Sequence, residues 1–284
     1  MNRLHEVEKE QRSMRTLRSL TGVFEGLASM RIAQIKNQVL QATEFFDELW
    51  RIYSQLRVDD LFHFGRSQSD QKVLDKDLLI LITAEGGLSG DIDQKLVDWM
   101  LSHYKASDQD IIVIGHHGVV QLAQASVAFK KYFKLPVKDK DINVSPLIKE
   151  MQQYRRTTVF YQQYVSLLVQ DIKQIEVGTA IQQRGKTAGD SQDIISEQNY
   201  IFEPSAFAVV DHLESAMMRI ALSQLILESK LAQYASRFRA MSAAHETAKD
   251  LLHNVTLEYN HANRSLKDER LREIVAGFKR AGRL

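Results

Sequence analysis

From Leu213 onward, alternate steps of four and three residues land on Leu213, Met217, Ile220, Gln224, Leu227, Leu231, Tyr234, Phe238, Met241, His245, Ala248, Leu252, Val255, Tyr259, Ala262 and Leu266. Only Gln224 and His245 interrupt the apolar run. An average of about 3.5 residues per turn keeps one seam of a helix facing a partner in a left-handed coiled coil. Neither glycine nor proline occurs from Ser205 to Ala276. At about 1.5 Å per residue, this predicts a helix on the order of 100 Å long. Such a helix needs another helix to lean on.

The amino-terminal segment supplies the same pattern. Ile32, Ile35, Val39, Ala42, Phe46, Leu49, Tyr53 and Leu56 follow the alternation without a miss. Leu20, Val23, Leu27 and Met30 form an earlier piece whose phase slips by two residues before Ile32, which predicts a local shift of the seam. Gly22 and Gly26 are the only glycines before Asp59. Four residues apart, they either loosen the helix locally or let another helix approach closely. An antiparallel pair of terminal helices satisfies both patterns.

All 3 prolines fall in the middle of the chain, and there the pattern becomes strands alternating with helices. "LLILIT" (78–83) and "DIIVIG" (110–115) are short, continuous apolar runs, as buried parallel strands require. Residues 91–105 and 118–132 are predicted helices. Residues 157–170 and 171–183 are predicted to be two further, adjacent strands. "RGKTAGDSQD" (184–193) is a polar loop, and Ser205 is placed to cap the last helix. The predicted fold class is α/β: an antiparallel coiled coil of long N- and C-terminal helices (1–60 and 205–284) flanking a Rossmann-like α/β domain (70–200).

Bulk composition bounds the function. Lys+Arg 37 against Asp+Glu 36 leaves no global field to recruit nucleic acid or an anionic membrane. With no cysteine there is no disulfide, thiolate metal site or cysteine nucleophile. No apolar run approaches the roughly 18 residues of a membrane span, and the first residues lack a signal-peptide core, so a soluble chain is expected.

The stretch "AEGGLSGDID" (84–93) follows the first strand as a phosphate-binding loop would. It lacks the G-x-G-x-x-G fingerprint, however, and "GKT" (185–187) lacks the first glycine of a P-loop. His116 and His117 stand at the carboxyl end of the second strand, where α/β sheets place ligands. Adjacent histidines there point apart, so they are expected to be loop residues and not joint metal ligands. Asp91 and Asp93 are expected to be helix-start acids. His245 is expected to fix register or meet a neighbour on the seam. No G-x-S-x-G elbow occurs. No catalytic residue, cofactor or metal site is expected.

An α/β domain set between two terminal coiled-coil helices, together with several motifs, resembles the gamma subunit of F-type ATP synthases, the central rotor shaft. "TAEGGLSGDID" (83–93) is similar to the family's S-T-D-R-G-L-C-G-G-L-N. "NYIFEPS" (199–205) is similar to its D-Y-I-Y-E-P-S/D. Residues 227–262 resemble its C-terminal helix through Arg237, Ala240, Met241, Ala244, Ala248, Leu251, Leu257, Tyr259, Asn260 and Ala262, and "EIVAG" (273–277) resembles its closing E-I-V-G-G. The N-terminal K-I-T-K-A-M region is nearly lost, with Val23, Gly26, Leu27 and Met30 on its apolar positions. "HANRSLKDERLRE" (261–273) replaces K-A-R-Q-A-x-I-T-Q-E-I-T-E. Such departures resemble a divergent or second-copy branch.

The resemblance implies a non-catalytic rotor that couples ion flow, of protons or sodium, to ATP synthesis or hydrolysis. The implied partners are three alpha and three beta subunits, an epsilon subunit and the membrane c-ring. The implied location is the cytoplasmic face of a bacterial inner membrane, as a peripheral subunit of the complex. Leu27, Arg31, Arg237, Met241, Asn263, Arg264, Asp268, Glu269 and Arg270 are implied contacts with the alpha/beta hexamer, and Gly87 and Gly90 an implied turn in the base. Two other classes fit the residues: an α/β enzyme with a coiled-coil oligomerisation arm, and a coiled-coil adaptor.

Overall fold

The computed structural model describes residues 2–55, 74–136, 138–139, 142–178, 203, 205–280 and 282. The elements are α1 (Asn2–Gln55), β1 (Leu74–Ile82), α2 (Ile92–His103), β2 (Gln109–Ile114), α3 (His116–Gln124), β3 (Lys131–Phe133), α4 (Ser145–Met151), β4 (Tyr154–Tyr164), β5 (Gln170–Glu176) and α5 (Ala206–Arg280). They divide into two compact units. One is Met1–Ala28 with Phe238–Leu284, and the other is Ser29–Arg237.

The Ser29–Arg237 unit is built on a five-stranded sheet of order β3-β2-β1-β4-β5. The first four strands are parallel, and β5 returns antiparallel to β4. Side chains alternate across a strand, so β1 feeds two cores. Leu78, Ile80 and Ile82 face Phe46 and Tyr53 of α1 and Met217, Met218, Ala221 and Leu222 of α5. Leu79 and Leu81 face Leu96, Val97 and Met100 of α2 and Leu122 of α3. The terminal helices are therefore one layer of the α/β sandwich, which is why β1 reads as an unbroken apolar run. Beyond the sheet, Ile35 packs on Leu227 and Leu231.

The helix pair runs antiparallel in this unit, since Gln224 Nε2 donates to Thr43 Oγ1 at 2.8 Å and the Tyr53 hydroxyl to Glu214 at 3.1 Å. Burial, followed by the Glu214 charge, pushes the Tyr53 hydroxyl well above its ordinary value. Gln224 thus interrupts the apolar stripe to meet the opposite helix. Ser205 caps α5 as expected, its Oγ accepting from the Ala208 amide at 3.2 Å.

Several expected bounds need correction, and the strand expected over 157–170 spans Tyr154–Tyr164. The helix expected over 118–132 stops at Gln124, where Ser126 adopts φ 57°, and residues 131–133 form β3 beside β2. Helix α4 carries Pro146 in its first turn, where proline's missing N–H costs nothing. Only its punctuation was legible in the sequence. The strand expected over 171–183 ends at Glu176, and its residues 179–183 lie outside the described residues, as do the 184–193 loop, Leu56 and the boundaries at 60, 70 and 200.

In the other unit the helices again run antiparallel. Gln11 Nε2 donates to Thr256 Oγ1 at 3.0 Å. His245 Nδ1 lies 2.9 Å from the Arg18 carbonyl and 3.4 Å from Thr21 Oγ1. A carbonyl only accepts, so the imidazole proton sits on Nδ1. A Cβ on Gly22 would stand 3.2 Å from the His245 ring, so this glycine makes room for the imidazole. Gly26 has nothing within 4 Å.

The expected phase slip does not occur. Counting back from Ile32, the same steps reach Ala28, Glu25, Thr21, Arg18, Met14, Gln11, Val7 and Leu4. Of these, Thr21 and Ala28 are buried at 6% and 1% exposure. Leu20, Val23, Leu27 and Met30 are instead 46–57% exposed. They form a second apolar stripe that faces away from the seam.

Candidate functional site

Two features gather the expected site residues: the loop after β1 and the outer faces of the long helices. The loop begins where Thr83 ties β1 to β2. Its Oγ1 donates to the Ile114 carbonyl at 3.1 Å and accepts from the Gly118 amide at 2.9 Å. Gly115 takes φ +95°, and a Cβ there would sit 2.0 Å from the Thr83 carbonyl oxygen. No other residue fits. Gly90 has φ +68°, so the turn into α2 uses its freedom. Gly87 does not take that role; Leu88 carries the second left-handed conformation at φ 70°.

The loop's carbonyls point at α5. Ser236 Oγ donates to Ser89 O at 2.7 Å. Arg237 donates from Nε to Gly87 O at 3.2 Å and from Nη2 to Gly86 O at 3.0 Å, with its guanidinium over the Tyr234 ring. A phosphate cradle needs converging N–H groups. A loop that aims its acceptors at a serine and an arginine of α5 is built to hold a helix.

Below the loop lies a buried polar network that the sequence reading missed. Asp93, expected as a helix-start acid, is 1% exposed and accepts from Gln162 Nε2 at 2.7 Å and the Ala84 amide at 3.4 Å. His117 Nδ1 lies 2.8 Å from its other oxygen. Gln162 Oε1 accepts in turn from Ser229 Oγ and from Gln233 Nε2. Burial raises the Asp93 carboxyl above its ordinary value, while His117 and Arg237 pull the other way. Asp91 stays at the surface, paired with Lys95 at 2.8 Å.

His116 and His117 are not loop residues but open α3. They do point apart, His117 to Asp93 and His116 towards the Tyr132 ring. The dyad has no nucleophile hydrogen-bonded to it among the described residues, and the Ser89 hydroxyl is buried without a partner. One signal for the network is present in the sequence: Ser229, Gln233 and Ser236 follow the same four-three spacing as a polar stripe beside the seam.

The remaining expected contacts fall in two places. Arg237 and the half-buried Arg31 line one cavity of about 250 Å³ with Glu85, Lys134 and Lys230. In the other unit Leu27 is 46% exposed, Met241 is buried on the seam, and Asn263 is half-buried. Arg264, Asp268, Glu269 and Arg270 are exposed along the last turns of α5. Leu271, Ile274, Val275 and Phe278 add an exposed apolar row there, 48–58% exposed.

Over residues 3–280 the chain matches the family model described as ATP synthase. The ATP synthase gamma chain of Heliobacterium modesticaldum is 22% identical over 290 residues, spanning 98% of this chain and 99% of that relative. That of Prosthecochloris aestuarii is 24% identical over 294 residues, spanning 98% of each. Among solved structures, a chain of the Euglena gracilis mitochondrial ATP synthase in rotational state 3 aligns with TM-score 0.55 at 15% identity, covering 95% of this chain and 94% of that one. At that identity the likeness speaks for the fold. A sheet flanked by terminal helices, matched along nearly its whole length, places this chain in the ATP synthase family, among relatives that are gamma chains.

Proposed function

We propose that the chain is the central-stalk rotor subunit of a rotary F-type ATP synthase, coupling ion flow through a membrane ring to ATP synthesis or hydrolysis in an alpha/beta hexamer. The carrying observation is the outer surface of the Met1–Ala28 and Phe238–Leu284 unit. Leu17, Leu20, Val23, Phe24 and Leu27 on α1 are 39–57% exposed, and Leu271, Ile274, Val275 and Phe278 on α5 are 48–58% exposed. Apolar surface is covered at a gain of about 25 cal/mol per Å². A helix pair that keeps one apolar seam for itself and turns further apolar rows outward suits an enclosing partner.

A rotor acts by contacting three like subunits differently, so that each is biased to a different conformation. Leu27, Arg31, Arg237, Asn263, Arg264, Asp268, Glu269 and Arg270 supply apolar and charged contacts of that kind. Met241, buried on the seam, supports the helix that carries them. Gly90 shapes the turn of the base, and Gly87 lends its carbonyl to Arg237. The loop they belong to belongs with the part that meets the epsilon subunit and the c-ring. None of the described helices is long and apolar enough to cross a membrane. The chain associates with the membrane through its complex, on the cytoplasmic face of a bacterial inner membrane.

Co-expression with the alpha and beta subunits of the same organism tests this reading. A stable assembly whose ATP hydrolysis depends on the chain is expected. A chain that neither joins the hexamer nor changes its hydrolysis refutes it.

A further inference from the structure

Asp93 sits at the carboxyl ends of β1 and β4, the place where an open α/β sheet offers a crevice. Here α5 closes that crevice. From Asp93 the hydrogen bonds run through Gln162 to Ser229 and Gln233 of α5. On the other side, Arg237 and Ser236 of α5 grip the carbonyls of Gly86, Gly87 and Ser89. A buried carboxylate thus lies under the grip that joins a long helix to the sheet.

Among the described residues, two charged groups act on it: His117 from α3, in direct contact, and Arg237 from α5. β4 offers only the neutral Gln162. Glu85 of the same loop is turned away, its carboxylate accepting from the Leu135 amide and the Tyr132 hydroxyl. Asp91, just before α2, is engaged at the surface by Lys95. His116 faces Tyr132.

We propose that Asp93, in contact with His117, is a proton-binding site that sets how firmly α5 is held on the α/β sheet by the loop after β1. When α5 is seated, the carboxyl is out of water, with Oδ2 2.8 Å from the imidazole Nδ1. When α5 lifts, the carboxyl regains water, and Arg237 no longer faces it.

Burial is the largest influence on Asp93 and raises its carboxyl, while the His117 contact, the Ala84 amide and Arg237 lower it. Seating α5 therefore takes up a proton. Seating is favoured as the pH falls and weakens as the pH rises through the raised value, by up to about tenfold in the opening equilibrium per pH unit for one proton. An amide at this position would keep the shape and the acceptor but could not titrate.

Hydrogen exchange of the full-length chain between pH 4.5 and 8, corrected for the intrinsic rate, tests the site. In the parent, segments 84–90 and 229–237 are expected to lose protection together as the pH rises. In Asp93→Asn both should remain at the parent's low-pH protection across the range. In His117→Gln the loss should move to higher pH, because the imidazole's lowering influence is gone. Circular dichroism confirms that each variant is folded. A parent whose two segments do not change with pH, two segments that respond separately, or an Asp93→Asn variant that keeps the parent's slope would each overturn the proposal.

Discussion

Replacing Leu231 by alanine tests the seam between the two long helices. Leu231 is 4% exposed and packs on Ile35 and Leu227, with Ile32, Val39, Ile142, Tyr164 and Tyr234 around it. Removing the side chain beyond Cβ forfeits burial worth about 0.8 kcal/mol per methylene-sized group, so about 2 kcal/mol. The cavity adds to this, because helices already fixed by the sheet core cannot close on it. The sum is about 3 kcal/mol. In a unit of this size that corresponds to a melting point lower by on the order of 6–12 °C. Leu231→Asp costs more, since it adds an unpaired buried charge. Leu40→Ala is the control: on α1 in the same unit, Leu40 is 56% exposed, and its loss should cost less than about 0.5 kcal/mol. Thermal unfolding followed by circular dichroism separates the two. A Leu231→Ala variant that melts with the parent, or a Leu40→Ala variant that falls as far, contradicts the seam.

Gly115→Ala places a Cβ 2.0 Å from a backbone oxygen at a left-handed φ, so a loss of at least about 3 kcal/mol is expected in denaturant titration. The two glycines of α1 should part company. Gly26→Ala, with open space, should gain up to about 1 kcal/mol from helix propensity. Gly22→Val should destabilise by displacing the His245 ring, and His245→Ala in the same chain should relieve that loss, both read by thermal unfolding. Leu27→Asp should leave the melting point of the isolated chain within the error of about 0.5 kcal/mol expected for a surface change. It should lower the ATP hydrolysis of the reconstituted hexamer. An unchanged hydrolysis rate would remove Leu27 from the contact surface.

Periodicity carried the reading furthest where each residue's partner lay on the same pattern. The four-three stripe of α5 named Leu231, Met241 and Val255 as buried, and each is. It failed on α1 between Arg18 and Ala28, because burial there does not follow hydrophobicity. Thr21 is buried by returning its hydroxyl to its own helix and meeting His245, and Glu25 and Ala28 are seam positions by register alone. The apolar Leu20 to Met30 row is the more conspicuous stripe in the sequence, yet it lies at the surface.

The loop after β1 shows the same division. Its composition and the missing fingerprint were enough to argue against a phosphate site. Nothing within residues 84–93 states that Arg237 and Ser236, about 150 residues further on, would take its carbonyls. Asp93 looked like any acid in a first helical turn. Only the arrival of Gln162, His117 and α5 removed it from water.

By itself, then, the sequence determined two long helices, a buried parallel sheet between them and the resemblance that named the family, since all three are patterns of neighbouring residues along the chain. The tertiary structure alone decided which stripe of α1 became the seam, why Gly115 is obligatory, and that a carboxylate lies beneath the grip of α5. Those outcomes depend on what comes close across long stretches of chain, where a side chain's burial is set by its partner and not by its own chemistry.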